Sequence, residues 1–281
     1  MENKTYQYKK ITVKIGSNVL TRRDGTLDIT RMSALVDQVA ELHKAGVEIV
    51  LVSSGAVASG RSELRPLRKL DSVDQRQLFS AVGQAKLINR YYELFREHGI
   101  TVGQVLTTKE SFSTRRHYLN QRNCMKVMLE NGVIPIVNEN DTISVTELMF
   151  TDNDELSGMI ASMMDMQALI ILSNIDGIYN GSPSQPGTSV IRTVERGKDL
   201  SDYIQTEKSG FGRGGMLTKS TIARKVADEG ITVIIANGKR DNILVNILRN
   251  EESRMKDEEP SSEMTAQPNS SSFVPHSSLK Y

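Results

Sequence analysis

Six short apolar runs recur along the chain: ITVKIG at 11–16, VEIVLVSSG at 47–55, ITVGQVL at 100–106, VIPIVNEN at 133–140, ALIILSN at 168–174 and ITVIIANG at 231–238. They are rich in β-branched residues, and each reaches or runs into glycine or polar residues. A strand buried on one face alternates apolar with polar, whereas a continuous apolar run fits a strand covered on both faces. Between the runs the apolar residues fall at helical spacing. Asp28 is placed to cap a helix with Met32, Leu35, Val36, Val39 and Leu42 on one stripe, ended by Gly46. Residues 75–98 carry a similar stripe (Leu78, Val82, Leu87, Tyr91, Leu94), as do 113–131, 154–165 and 216–229. This alternation predicts an α/β fold, a mostly parallel sheet between two helical layers, with ligands bound beyond the carboxyl ends of the strands.

The character changes near residue 250, where NEESRMKDEEPSSEMTAQPNSSSFVPHSSLKY is rich in Ser, Glu and Pro. The expected organisation is one domain over 1–250 and a disordered tail over 251–281, with SFVPH as its one segment able to dock. GRSELRPLRKLDSVD (60–74) has no period and reads as an exposed loop able to cover a site. The 35 Lys and Arg nearly balance the 34 Asp and Glu, so no general attraction to nucleic acid or anionic lipid is expected, and any anion site must be local. The single cysteine, Cys124, excludes an internal disulfide and reads as a small core residue on a helix. MENKTYQYKK has no apolar signal region and no run approaches a membrane span, so the expected location is the cytoplasm. The four histidines lie far apart and take no catalytic role; His43 and His98 precede helix-ending glycines, where a partly charged imidazole suits the dipole.

Four stretches carry chemistry. Lys14 interrupts an apolar run just before Gly16-Ser17-Asn18; a buried lysine needs an anion, although an edge-strand lysine facing solvent would satisfy the isolated segment. Ser53-Ser54-Gly55-Ala56 joins a strand to a helix start, which is either an anion site or a serine-capped turn. In GFGRGGMLTKSTIARKVADEG (210–230) four glycines lead into a helix carrying Thr218 and Lys219, offering backbone donors and a cation that can follow a transferring phosphoryl group. The most demanding stretch is PIVNENDTISVTELMFTDNDE. It places Asn138, Glu139, Asn140 and Asp141 in one burst and Asp152, Asn153, Asp154 and Glu155 in another. Caps and turns use such residues freely, but two bursts around one connector exceed that need. Asp141 can hold an ammonium group, Asn138 or Asn153 can hydrogen-bond a carboxylate, and Asp154 can orient lysines or help place magnesium.

Taken in order, KIGSNVL, VSSGAVASG, AVGQAKL, VNENDT, FTDNDELSG and GRGGMLTK resemble the amino acid kinase superfamily, over roughly residues 9–248 and closest to its glutamate-phosphorylating branch. The resemblance implies a three-layer αβα sandwich, magnesium and ATP as cofactors, and transfer of the γ-phosphoryl to the side-chain carboxylate of L-glutamate, the first step of proline biosynthesis. It implies catalytic roles for Lys14 and Lys219, bracketing the phosphoryl group, and for Asp154, holding them. It places glutamate on Ser54, Asn138, Asp141 and Asn153, and the nucleotide on Lys14, Ser173, Asn174, Arg213, Gly214, Gly215, Met216, Leu217, Thr218 and Lys219. Metal ligands are not assigned. It further implies a homo-oligomer, feedback by proline and a glutamyl-phosphate reductase partner. Two positions depart from the branch: Ser173-Asn174 replaces a common Thr-Asp, and Arg213 stands where a small hydroxyl residue is usual. Many relatives carry a C-terminal RNA-binding-type module, which this chain is expected to lack.

Two other readings compete. One keeps the fold and changes the acceptor to N-acetylglutamate or aspartate; VNEND followed by TDND favours free glutamate. The other is an amino-acid-sensing module without turnover, against which the two lysines argue.

Overall fold

Strands form where the six apolar runs predict them. The computed structural model describes residues 6–144, 150, 152–179, 187, 189–191, 193–194, 216–249 and 270–273. The chain runs through β1 (Lys10–Ile15), α1 (Ser17–Leu20), α2 (Ile29–Lys44), β2 (Glu48–Ser53), α3 (Ala56–Glu63), α4 (Ser72–Glu97), β3 (Val102–Thr107), α5 (Glu110–Ser113), α6 (Arg115–Glu130) and β4 (Ile134–Glu139). It continues with α7 (Asn153–Met163), β5 (Ala168–Ser173), β6 (Ile178–Tyr179), β7 (Val190–Ile191), β8 (Thr193–Val194), α8 (Met216–Asp228), β9 (Thr232–Asn237), α9 (Ile243–Leu248) and β10 (Ser270–Phe273).

The main sheet has the order β3-β4-β2-β1-β5-β9-β10-β8. Its first six strands are parallel. From β1 the chain first builds toward β2 on one side and later toward β5 and β9 on the other, so the switch point lies at β1. An α/β sheet opens a crevice for ligands beyond the strand ends at such a point.

Strand alternation divides the core into two layers. Ile11, Val13 and Ile15 of β1 join Ile49 and Leu51 of β2 under α2, α4 and α9. Val50, Val52, Val137, Leu169 and Ile171 join Leu156 and Ile160 of α7 and Ala223 and Val226 of α8 on the other face. Because successive side chains point to opposite faces, Lys14 falls on the α7 and α8 side. It sits in an interior strand, since β1 is flanked by β2 and β5, and the solvent-facing edge-strand alternative is removed.

Helix α2 follows the sequence closely: Asp28 accepts from the Arg31 N–H, the expected stripe is buried, and Gly46 turns the chain out at φ +85°. Helix α4 does not. Its buried face is Phe79, Ser80, Gly83, Leu87, Tyr91, Leu94 and Phe95, with Val82 exposed. The helix rotates toward its small residues because Gly83 and Ser80 let α3 approach closely, a contact that a count of large apolar residues overlooks. The loop expected over 60–74 shrinks to 64–71, since α3 runs on to Glu63 and α4 starts at Ser72 under an Asp71 cap.

Cys124 is on a helix but exposed. Its neighbour Met125 is the buried residue of α6, and one residue is about 100° of helix rotation. His43 is held below its ordinary value, chiefly by burial, which disfavours the partial charge expected there. In the segment expected to be a disordered tail, Ser270–Phe273 adds an antiparallel strand to β9. The unpaired edge of β9 offers backbone groups to such a segment; the remainder of 250–281 lies outside the described residues.

Candidate active site

The carboxyl ends of β1, β2, β4 and β5 converge with the start of α7 on one cleft. Its wall includes Lys14, Ser54, Asn138, Asp141, Asn153, Asp154, Ser173 and Lys219. The two polar bursts and both lysines, spread over more than 200 positions of sequence, are brought together here.

At the centre, Asp154 is completely buried and meets two cations. Lys14 Nζ lies 2.5 Å from its Oδ1 and Lys219 Nζ lies 3.0 Å from its Oδ2. Burial opposes the charge, but Lys14 and then Lys219 outweigh it and hold Asp154 below the ordinary carboxylate range. One fixed acid therefore sets the positions of two ammonium groups at the wall of the cleft.

Asp152 caps α7, accepting from the N–H groups of Asp154 (2.9 Å) and Glu155 (3.0 Å) through Oδ1. Its Oδ2 is buried with no hydrogen-bond partner among the described residues. Burial, reinforced by the charge of Asp154, raises Asp152 above its ordinary value. An unsatisfied carboxylate oxygen beside two paired lysines fits magnesium, which takes one or two carboxylates together with phosphates and water. No cluster of three or more His, Cys, Asp or Glu with metal-site geometry occurs among the described residues.

The remaining residues form a hydrogen-bonded rim. The Asn153 amide donates to Ser54 Oγ at 2.9 Å and to Asn138 Oδ1 at 3.1 Å. Asn138 donates in turn to Gln84 of α4 at 2.8 Å. Gly55 follows Ser54 at φ +109°, a conformation open to glycine, and delivers the chain into α3. Behind them the buried Tyr91 hydroxyl meets Ser53 Oγ at 2.8 Å.

Asp141 lies against Arg76 of α4, whose Nε donates to its Oδ1 at 2.6 Å. Arg76 Nη2 also reaches Asp141, and donates to Glu139 Oε2 at 2.5 Å. Glu139 Oε1 accepts from Ser144 Oγ and the Phe150 N–H at 2.7 and 2.9 Å, pinning the connector between the bursts. Burial pushes Asp141 up to about 6; Arg76 opposes that rise and Glu139 adds to it.

Of the expected nucleotide residues, Ser173 lines the cleft at the end of β5 and Asn174 follows it, exposed. Thr218 stands one residue before Lys219 in α8; Met216 and Leu217 open that helix. Arg213, Gly214 and Gly215 lie outside the described residues. Sequence reasoning missed Arg76 and Asp152 as members of the cleft and Gln84 as the partner of Asn138 behind it. Gln84 stood inside the quoted AVGQAKL and Asp152 inside the second burst, whereas Arg76 carries no local signal.

These features define a class. The chain belongs to the amino acid kinase family, whose profile matches residues 9–237. It is 84% identical over 243 residues to a glutamate 5-kinase of Bacteroides thetaiotaomicron, covering 86% of this chain and 68% of that one. A glutamate 5-kinase of Chlorobaculum tepidum is 50% identical over 241 residues, covering 85% and 66%. The chain thus spans about two thirds of the length of these relatives. Among solved structures, isopentenyl phosphate kinase superposes with a TM-score of 0.60 at 15% identity, over 94% of this chain and all of that one, which shows the fold. No helix among the described residues is long and apolar enough to cross a membrane.

Proposed function

We infer that the chain catalyses the glutamate 5-kinase reaction, in which ATP phosphorylates the side-chain carboxylate of L-glutamate to L-glutamyl 5-phosphate. High identity to glutamate 5-kinases supports this over acetylglutamate or aspartate as acceptor. The observation that carries catalysis, against a sensing module, is the pair of lysines on the one buried carboxylate of Asp154. A binding module without turnover has little use for two cations at the phosphoryl position.

In the reaction a γ-carboxylate oxygen bonds to the γ-phosphorus as the bond to the leaving ADP oxygen breaks. The nucleophile is already ionised at neutral pH, so no general base is needed. Catalysis falls to positioning and charge stabilisation. Lys14 and Lys219 contact the phosphoryl oxygens, held by Asp154. Ser54, Asn138 and Asn153 orient the amino acid, and Asp141 holds its ammonium group. Ser173, Asn174 and the segment from Arg213 to Lys219 take the nucleotide. Magnesium, when bound, adds neutralisation of the phosphate charge, and Asp152 is the residue that would hold it.

The remaining readings go with this one: a kinase domain over 1–250 with a tail over 251–281, a cytoplasmic homo-oligomer feeding proline biosynthesis, feedback by proline, and a reductase that receives the unstable acyl phosphate.

The direct test traps the acyl phosphate with hydroxylamine and measures the hydroxamate with glutamate, N-acetylglutamate and aspartate. ATP-dependent product with glutamate is expected; product with another acceptor alone would overturn the substrate assignment. A second expectation concerns pH. The ionised form of Asp141 binds ammonium, and because its folded value is raised to about 6, that form is lost as pH falls through 6. In wild type, kcat/KM for glutamate should drop by roughly tenfold per pH unit below that point. Asp141→Asn should raise KM for glutamate by about 10- to 100-fold and flatten the profile. A variant that keeps the wild-type profile would remove Asp141 from the ammonium site.

A further inference from the structure

Arg76 has a donor left over. Its Nε and Nη2 serve Asp141 and Glu139, while Nη1 is buried with no partner among the described residues. Buried donors are almost always satisfied, and because Arg76 lines the cleft, a small turn of its guanidinium brings the unpaired donor to an acceptor that the ligand supplies. The position of Arg76 narrows what that partner is. It lines the cleft beside Asp141, so a carboxylate and a guanidinium stand side by side. The α-carbon of an amino acid presents the complementary pair, an ammonium and a carboxylate on one atom.

We propose that Arg76 is a specificity-determining residue that binds the α-carboxylate of the amino acid while Asp141 takes its ammonium group. The proposal rests on the glutamate kinase reading and adds a polarity to it. Arg76 enters from α4, whereas Lys14 and Lys219 meet Asp154 on the side of α7 and α8. The α-carbon end of the substrate therefore lies toward α4 and its γ-carboxylate toward the lysines. Glu139 has a supporting part, since it fixes the guanidinium through Nη2 and the connector through Ser144 and Phe150.

The experiment compares L-glutamate with L-isoglutamine, which keeps the γ-carboxylate and the ammonium but carries an amide in place of the α-carboxylate. The readout is the ratio of kcat/KM for the two substrates in wild type, Arg76→Met and Arg76→Lys. Wild type should prefer glutamate, and the ratio should fall about 10- to 100-fold in Arg76→Met, with KM for ATP unchanged and partial recovery in Arg76→Lys. If Arg76 only braces Asp141 and Glu139, both substrates suffer alike and the ratio stays constant, which overturns the proposal. Should Arg76→Met fail to fold, the ratio in Arg76→Lys decides by the same criterion. Failure of wild type to phosphorylate glutamate would instead count against the function itself.

Discussion

Lys219→Ala is expected to lower kcat by about 10²- to 10³-fold, the usual loss when one preorganised charge-stabilising donor is removed from a reacting centre. The reason is visible in the arrangement around Asp154, where Lys14 and Lys219 occupy opposite oxygens of one buried carboxylate. Removing Lys219 leaves Asp154 paired with Lys14, so no buried charge is stranded and the fold should hold. Asp154→Ala would differ, because it leaves two cations close together without their shared anion. Steady-state kinetics and a thermal melt on the same preparation separate the cases: a large fall in kcat with a melting temperature within a few degrees of wild type is expected. A kcat within about fivefold of wild type would take Lys219 out of the transition state.

Two kinds of information lay in the sequence with different clarity. The strands were plain because a run such as ALIILS needs both faces covered, whatever its neighbours, and all six bodies of β1, β2, β3, β4, β5 and β9 fall where the runs stand. Lys14 and the two polar bursts were legible for a related reason: a charge in an apolar run, or four polar residues at a strand end, conflicts with local preference unless a site resolves the conflict. Arg76 raised no such conflict. An arginine near the start of a charged helix looks like a solvated residue, and its meaning comes from Glu139 and Asp141, more than 60 positions away. The depth of α4 was hidden likewise, since hydrophobicity marks large side chains and that contact is made by small ones.

Gly83→Ala tests that contact, and its sign is diagnostic. In an ordinary helix interior, replacing glycine by alanine stabilises by about 0.5–1 kcal/mol through the lost flexibility of glycine. Here a Cβ on Gly83 would come within 1.8 Å of the Ala56 carbonyl oxygen and 2.3 Å of the Gly60 nitrogen. Both are backbone atoms of the neighbouring helix, so no side chain can turn aside and α3 itself must move. Overpacking of this kind costs about 3 kcal/mol, which in a chain of this size is a fall in melting temperature of about 6–12 °C. The consequence reaches the cleft, because α3 begins immediately after Ser54-Gly55 and α4 carries Arg76 and Gln84. KM for glutamate should therefore rise together with the loss of stability. Val82→Ala is the matched control: Val82 belongs to the apolar stripe of the sequence but is exposed in the structure, and its truncation should change stability by only about 0.5 kcal/mol or less. The opposite ordering, a tolerated Gly83→Ala and a damaging Val82→Ala, would mean that α4 packs on its large residues and that the approach of α3 to α4 is wrong.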